Sequence, residues 1–384
     1  MTQSRKISLA LVTLLVLALL AAIIIPLSSV GNTASAASAI DSWTNTYKGN
    51  YYNNLNTNKT GKEFRADLAE LITTTHTKQY TYDNLKELYK TTDADPDKQG
   101  NVIWFYTGNS VPYTGVMDGN DTATKNYPTN REHVWPKMGG NAFPEKTEAG
   151  SDAHHVRPLN TGLNNTRSNN HFGEVPQTEA NRIKQSGTFA NYGNSDPDSW
   201  CYQATVNGAK LFYPAAGYRG ATARIIFYVQ TRWGDVSDLS LALGNNTTKI
   251  MSNVDVLLKW HLEEPPTEEE IRRNEAVFGL QGNRNPFIDH PEYAEMIYCN
   301  DGNAYNSALV DVVNQYGSYI KSNNGNNGNK GTGSGNTQQT PTKPTQPTND
   351  KTMTIIIAIS VAVVVLVVVA VVIVVIVKKS KKKA

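Results

Sequence analysis

Residues 130 to 136 read N-R-E-H-V-W-P, and residues 152 to 169 read D-A-H-H-V-R-P-L-N-T-G-L-N-N-T-R-S-N. A carboxylate beside an imidazole, followed by an asparagine-rich run ending in arginine, has the parts for cutting a phosphodiester. That reaction needs an activated water, neutralised phosphoryl oxygens and help for the leaving oxygen. His133, with an ordinary imidazole pKa of ~6.5, can take the water's proton near neutral pH. Glu132 supplies a hard oxygen for a Mg²⁺-type ion, which keeps several waters of its own. The two side chains are adjacent, and in a regular strand neighbours point to opposite faces. The pair therefore has to sit where a strand ends or bends, and Pro136 is consistent with such an end.

In the second stretch a helix would place Asn160, Asn164 and Arg167 on one face, with Leu159 and Leu163 anchoring it inward. Asn, Thr, Ser and Gly form helices weakly, so tertiary contacts or function must hold it. An Asn164 carbonyl is a second hard oxygen that adds no negative charge near phosphate. Arg167 or Arg157 could grip a phosphate oxygen in fork geometry. Asp152, His154 and His155 lie between the two stretches. Adjacent histidines in a strand cannot both ligate one ion, so one of them is expected to bond the backbone that carries His133 and fix its tautomer.

The elements that must hold these groups read as an α+β domain over residues 40–320. Helical patterns cover Phe64–Thr75, Tyr82–Lys90, Thr222–Trp233, Lys249–His261 and Glu268–Phe278, with a capping box in T-E-E-E at 267–270 and another start at Asp289–Glu292. N-V-I-W-F-Y at 101–106 reads as a strand, and the strands are expected to cluster between 101 and 136. D-A-D-P-D at 93–97 fails as a calcium loop, because position six is not Gly and Trp104 stands where the bidentate Glu belongs. An Asx turn suits it better. His261 and His290 read as packing or capping residues, while Arg272, Arg273 and Arg284 could line a groove for nucleic acid.

The ends carry addresses. Arg5 and Lys6 precede an apolar run, Ile7–Leu27, and then small residues near Ala36 and Ala39, so residues 1–39 read as a signal peptide or uncleaved anchor. Residues 321–352, rich in Asn, Gly, Thr and Pro, read as a flexible stalk. Met353–Val377 holds no charge and would be about 37 Å long as a helix, enough to cross a bilayer. The lysines of the tail, 378–384, should stay cytoplasmic, which puts the domain outside. Setting aside five tail lysines and the two leader cations takes the net charge from +2 to −5. Broad electrostatic adhesion to nucleic acid is thus not signalled, and any phosphate recognition must be local. Cys201 and Cys299, the only cysteines, could form a disulfide or stay two buried thiols.

N-R-E-H-V-W-P-K, S-D-A-H-H-V-R-P, L-N-N-T-R-S-N and the late E-I-R-R-N-E and Q-G-N-R-N-P-F-I-D-H-P-E resemble the endonuclease I family over roughly residues 80–300. These are secreted bacterial nucleases with a ββα-metal, HNH-like site. The resemblance implies a ββα-metal core in a mostly helical domain. It implies His133 as general base, His155 orienting it, Arg167 beside the phosphate, and Glu132 and Asn164 as ligands of one Mg²⁺ (or Mn²⁺ or Ca²⁺). Arg131, Arg157 and Asn169 would then contact substrate. The family cuts DNA, often RNA too, with little sequence preference, leaving 5′-phosphates. This chain lacks the disulfides and the basic segment of some members, and Lys137 and Lys146 alone do not replace that segment. The expectation is a monomeric, membrane-tethered extracellular endonuclease whose partner is nucleic acid. A surface binding or adhesion protein on an inactive nuclease fold is the alternative; a cell-wall hydrolase lacks the thiol or zinc-type spacing it would need.

Overall fold

Apolar residues four apart open the domain. Phe64, Leu68 and Ile72 share the buried stripe of α1 (Gly61–Thr74), and Leu85, Tyr89 and Thr92 that of α2 (Leu85–Thr92). The computed structural model describes residues 40, 43–184, 197–243, 250–251, 253–300, 302 and 306–320. The chain divides into a unit ending at Ser322 and a second, Asn323–Ala384. The leader, the stalk, the apolar run 353–377 and the basic tail lie outside the described residues. Among those described, no helix is long and apolar enough to cross a membrane.

β1 (Asn101–Trp104) and β2 (Asn109–Pro112) form an antiparallel hairpin. β3 (Thr129–His133) and β4 (Val156–Asn160) pair antiparallel, with Thr129 opposite Asn160 and His133 opposite Val156. The next residue begins α3 (Thr161–Arg167), which completes a ββα unit. The end of β1 buttresses it: the Phe105 N–H donates to Pro158 O at 2.9 Å, and the Trp104 indole to Thr129 Oγ1 at 2.9 Å.

β5 (His171–Phe172), β6 (Tyr202–Val206) and β7 (Ala209–Tyr213) make a sheet in the order β5-β7-β6, parallel then antiparallel. The β6–β7 turn is Asn207-Gly208, both at positive φ as a two-residue hairpin requires. α4 (Arg219–Ser237) is buried on nearly every side and runs through the core. After β8 (Ser240–Leu241) and β9 (Ile250–Met251), which pair parallel, come α5 (Val254–Glu263), α6 (Glu268–Gln281), α7 (Pro286–Asp289), α8 (Glu292–Tyr298) and α9 (Asn306–Tyr316). The capping box at Thr267 and Glu270 forms as expected, and Glu270 also takes both ends of the Arg224 guanidinium at 2.7 Å.

The α+β class holds, with two corrections, and the cysteines take the thiol alternative. Strands do not cluster between 101 and 136, because a separate sheet lies between 171 and 213. The helix expected from Lys249 starts at Val254, since Ile250–Met251 is drawn into pairing with Ser240–Leu241. Cys201 and Cys299 are thiols rather than a disulfide; burial pushes the Cys201 thiol up to about 12, and it donates to Tyr106 O. The 93–97 segment is an Asx turn, Asp95 Oδ1 accepting from Asp97 N–H at 2.9 Å.

Candidate active site

β3 ends at His133, and that ending resolves the facing problem of the Glu-His pair. Arg167, at the last position of α3, donates from Nη1 to His133 O at 2.9 Å and from Nη2 to Val134 O at 2.6 Å. One helix turn earlier, Asn164 Nδ2 donates to Arg131 O at 3.1 Å. The strand's last carbonyls thus turn to the helix instead of to another strand, and Glu132 and His133 both border one cleft of about 310 Å³. α3 itself starts on Asn160, whose Oδ1 accepts from the Gly162 and Leu163 N–H groups at 2.7 and 3.1 Å. Asn160 is a helix cap, not a member of the functional face.

Glu132 is 1% exposed. Its Oε1 accepts from the Tyr106 hydroxyl at 2.8 Å and lies 3.1 Å from Arg167 Nη1. Oε2 accepts no hydrogen bond among the described residues, yet it is not sealed from solvent. Burial raises the Glu132 carboxyl, against the opposing pulls of Arg167 and Tyr106. A cation at Oε2 would relieve that cost. Asn164, with Nδ2 committed to Arg131 O, keeps Oδ1 as a bare acceptor at the same cleft. One carboxylate oxygen and one amide oxygen are a hard, sparse donor set, which suits a Mg²⁺-type ion that draws its remaining ligands from water and phosphate. Among the described residues there is no group of three or more His, Cys, Asp or Glu that could hold a metal.

His133 Nε2 lies 3.0 Å from Gly150 O. A carbonyl can only accept, so Nε2 carries the proton and Nδ1 is the basic nitrogen. Nδ1 has no hydrogen bond among the described residues and is not sealed. Burial, reinforced by nearby His155, lowers His133 to about 3, so the ring stays neutral. Gly150 is required here: a Cβ would meet Pro144 O at 2.2 Å. Although Gly150 O sets the His133 tautomer, the backbone contact expected of one of the paired histidines is made by His155. Its Nε2 accepts from Trp135 N–H at 2.9 Å and its Nδ1 donates to Ala149 O at 2.6 Å, pinning the backbone just past His133. Burial lowers His155 to about 4, consistent with that neutral tautomer. His154 instead donates to Asn283 O at 2.9 Å.

Other expected contacts fare unevenly. Arg131 and exposed Asn169 border the cleft, and so does Lys137, which is ion-paired to Glu145. Arg167 borders it too but is 1% exposed with both Nη atoms donated to carbonyls. It organises the strand end rather than reaching out to a phosphate. Arg157 is a correction: its Nε donates to Asp93 Oδ1 at 2.9 Å and the side chain lies over Phe105, so it is a buried ion pair that does not line the cleft. Arg273 joins the same Asp93 oxygen, and Arg284 is forked onto Asp289; neither lines the candidate cleft. Tyr82, Tyr106 and Gly150 were not foreseen. They act on Glu132 and His133 from 17 to 51 residues away, and no local pattern announces such contacts. A second cavity of about 350 Å³, between Trp43–Tyr51 and α6, has Arg284, Asp289 and Glu275 paired among themselves.

Similarity to known proteins agrees with this geometry. The family model for Endonuclease I matches residues 60–292. An extracellular ribonuclease of Bacillus amyloliquefaciens is 34% identical over 250 residues, 62% of this chain and 75% of the relative. One from Bacillus subtilis is 33% identical over 246 residues, with the same coverage. Endonuclease-1 of Buchnera aphidicola is 25% identical over 138 residues, 36% of this chain and 44% of the relative. With the ββα unit, the open Glu132 and Asn164 oxygens and the neutral His133 all at one cleft, and a family match spanning more than half its length, this chain belongs to the endonuclease I family of nucleases.

Proposed function

We propose that this nuclease is an outward-facing, membrane-tethered, cation-dependent endonuclease that hydrolyses phosphodiester bonds of RNA and DNA with little sequence preference. The observation that carries the reading is that Glu132, His133 and Asn164 line one cleft, and that Glu132 Oε2, His133 Nδ1 and Asn164 Oδ1 make no hydrogen bond among the described residues. His133 Nδ1 takes the proton of the attacking water, while Gly150 O holds the opposite nitrogen. Glu132 and Asn164 would hold one Mg²⁺ or Mn²⁺. Bound there, the ion would neutralise phosphoryl oxygens and ease departure of the 3′ oxygen. Arg167 and His155 fix the backbone on which these groups sit, and Asn169 and Arg131 border the path of the substrate.

Attack by water that breaks the bond from phosphorus to the 3′ oxygen leaves 5′-phosphate and 3′-hydroxyl ends and makes no use of a 2′-hydroxyl. RNA and DNA are therefore both within reach, and the ribonuclease relatives support the RNA arm. The uncharged run 353–377 and the lysines after it support a single-pass anchor with the domain outside.

The test is digestion of RNA, single-stranded DNA and double-stranded DNA side by side by the full chain in membranes. Cutting of all three, stopped by a chelator and restored by Mg²⁺ or Mn²⁺, is the expected result. Undiminished digestion in the chelator, or 2′,3′-cyclic phosphates among the RNA products, would overturn it.

A further inference from the structure

We infer that Tyr82, a residue outside the ββα unit, positions the His133 imidazole and is itself held by Arg131. The inference rests on the reading of His133 as the general base. Residues 131 and 133 leave β3 on one face, two residues or roughly 7 Å apart. Heavy atoms in contact lie about 3.5–4 Å apart, so a ring that bridges the two side chains can touch both.

Tyr82 does so. The Arg131 Cζ lies 3.9 Å from the centre of its ring, and the His133 ring stacks on it, 5.6 Å between centroids and 7° between planes. Arg131 Nη1 also donates to Tyr82 O at 2.9 Å and pairs with Asp83 at 3.3 Å, so one guanidinium fixes both the ring and its backbone.

Other neighbours of the imidazole among the described residues include Gly150 O on Nε2 at 3.0 Å, Phe143 at 5.8 Å and 48°, and His155 at 5.7 Å and 57°. Neither of those rings lies parallel to it. Of its ring contacts among the described residues only Tyr82 matches the imidazole plane, and Tyr82 borders the same cleft as His133. Loss of that plane lets the base tilt, and a misplacement of about 1 Å can cost roughly 10²-fold in rate. Tyr82 acts through His133. It is a positioning residue, and the plane of its ring matters more than its hydroxyl.

Steady-state kinetics of the full chain with Tyr82→Ala, Tyr82→Leu, Tyr82→Phe, His133→Ala and the Tyr82→Ala/His133→Ala double variant test this. Leu fills the volume without a plane, which covers the case in which Ala fails to fold. The expectation is a fall in kcat of about 10–100-fold for Leu and Ala, with KM changed by less than about threefold. Phe restores most of the rate, and the double variant is no slower than His133→Ala. The His133 ring protons should also shift in NMR spectra of Tyr82→Leu, because the stacked ring no longer shields them. An unchanged kcat in Tyr82→Leu beside an inactive His133→Ala overturns the positioning role and leaves the base assignment intact. A raised KM with unchanged kcat assigns Tyr82 to substrate contact and overturns it as well. An active His133→Ala removes the base reading on which the inference stands.

Discussion

Glu132 shows how much a single side chain depends on residues that no motif contains. One of its oxygens is held by Tyr106 and Arg167, and the other stays open. Tyr106 reaches that oxygen from a backbone at φ 69°, a conformation in which a bulky aromatic residue is strained. Its phenol is fully buried, and its carbonyl accepts from Ala215 N–H and Cys201 Sγ. Tyr106→Phe keeps the ring packed and deletes only the hydrogen bond to Glu132. The cation concentration for half-maximal activity, and Mn²⁺ binding followed by titration, should each rise about 10-fold or more, the cost usual for a partner that orients a ligand. Unfolding free energy should fall by only about 1 kcal/mol. Unchanged Mn²⁺ binding would show that Tyr106 holds the fold alone. The Glu-His pair and the Asn-x-x-Arg run were legible in the sequence because their chemistry is local. Tyr82 and Tyr106 were not, because packing alone brings them to the site.

At the scale of elements, α3 is seven residues of mostly weak helix formers and is held from both ends. Asn160 caps its start, while Asn164 and Arg167 staple its side to the carbonyls of β3. The spacing predicted the Asn164–Arg167 face correctly but put Asn160 on it, although Asn is among the preferred caps and stands just before the helix. Asn160→Ala should cost about 1–2 kcal/mol in denaturant unfolding and lower kcat, whereas Asn160→Asp should retain most of both. Loss of stability with full kcat would mean that the cap does not help place Asn164. The second sheet was missed for another reason. Its strands are two to five residues long, and the Asn207-Gly208 signal between β6 and β7 was present but passed over.

Over the whole domain, several arginines sit in buried ion pairs rather than on the surface. Asp93 sits between Arg157 and Arg273, and Glu270 holds Arg224. Arginines that look free in the sequence are therefore structural. Breaking such a pair from one side costs about 3–5 kcal/mol. The two ends of the domain meet where Tyr319 packs edge-on against Trp43, 5.4 Å between centroids. Glu295 accepts there from Tyr319 N–H at 2.6 Å and from the Ser318 hydroxyl. Burial raises the Glu295 carboxyl to about 7 from 4.5. Between those values the folded chain keeps a proton that the unfolded chain has released. Its contribution is therefore complete below about pH 4.5 and is lost as pH rises through about 7, by up to about 3 kcal/mol. Glu295→Gln can keep both hydrogen bonds and should flatten that part of the stability profile in urea unfolding between pH 5 and 8. Parallel profiles for the two proteins would rule out Glu295 as the titrating group.

The claim on which the rest depends is that His133 Nδ1 opens toward an attacking water beside the Glu132 and Asn164 oxygens. The most direct test is kcat of His133→Ala relative to wild type, at saturating Mg²⁺ and with thermal unfolding followed in parallel. The prediction is a fall of about 10²–10⁴-fold at an unchanged melting midpoint. A folded variant that cuts within about threefold of the wild-type rate would contradict it.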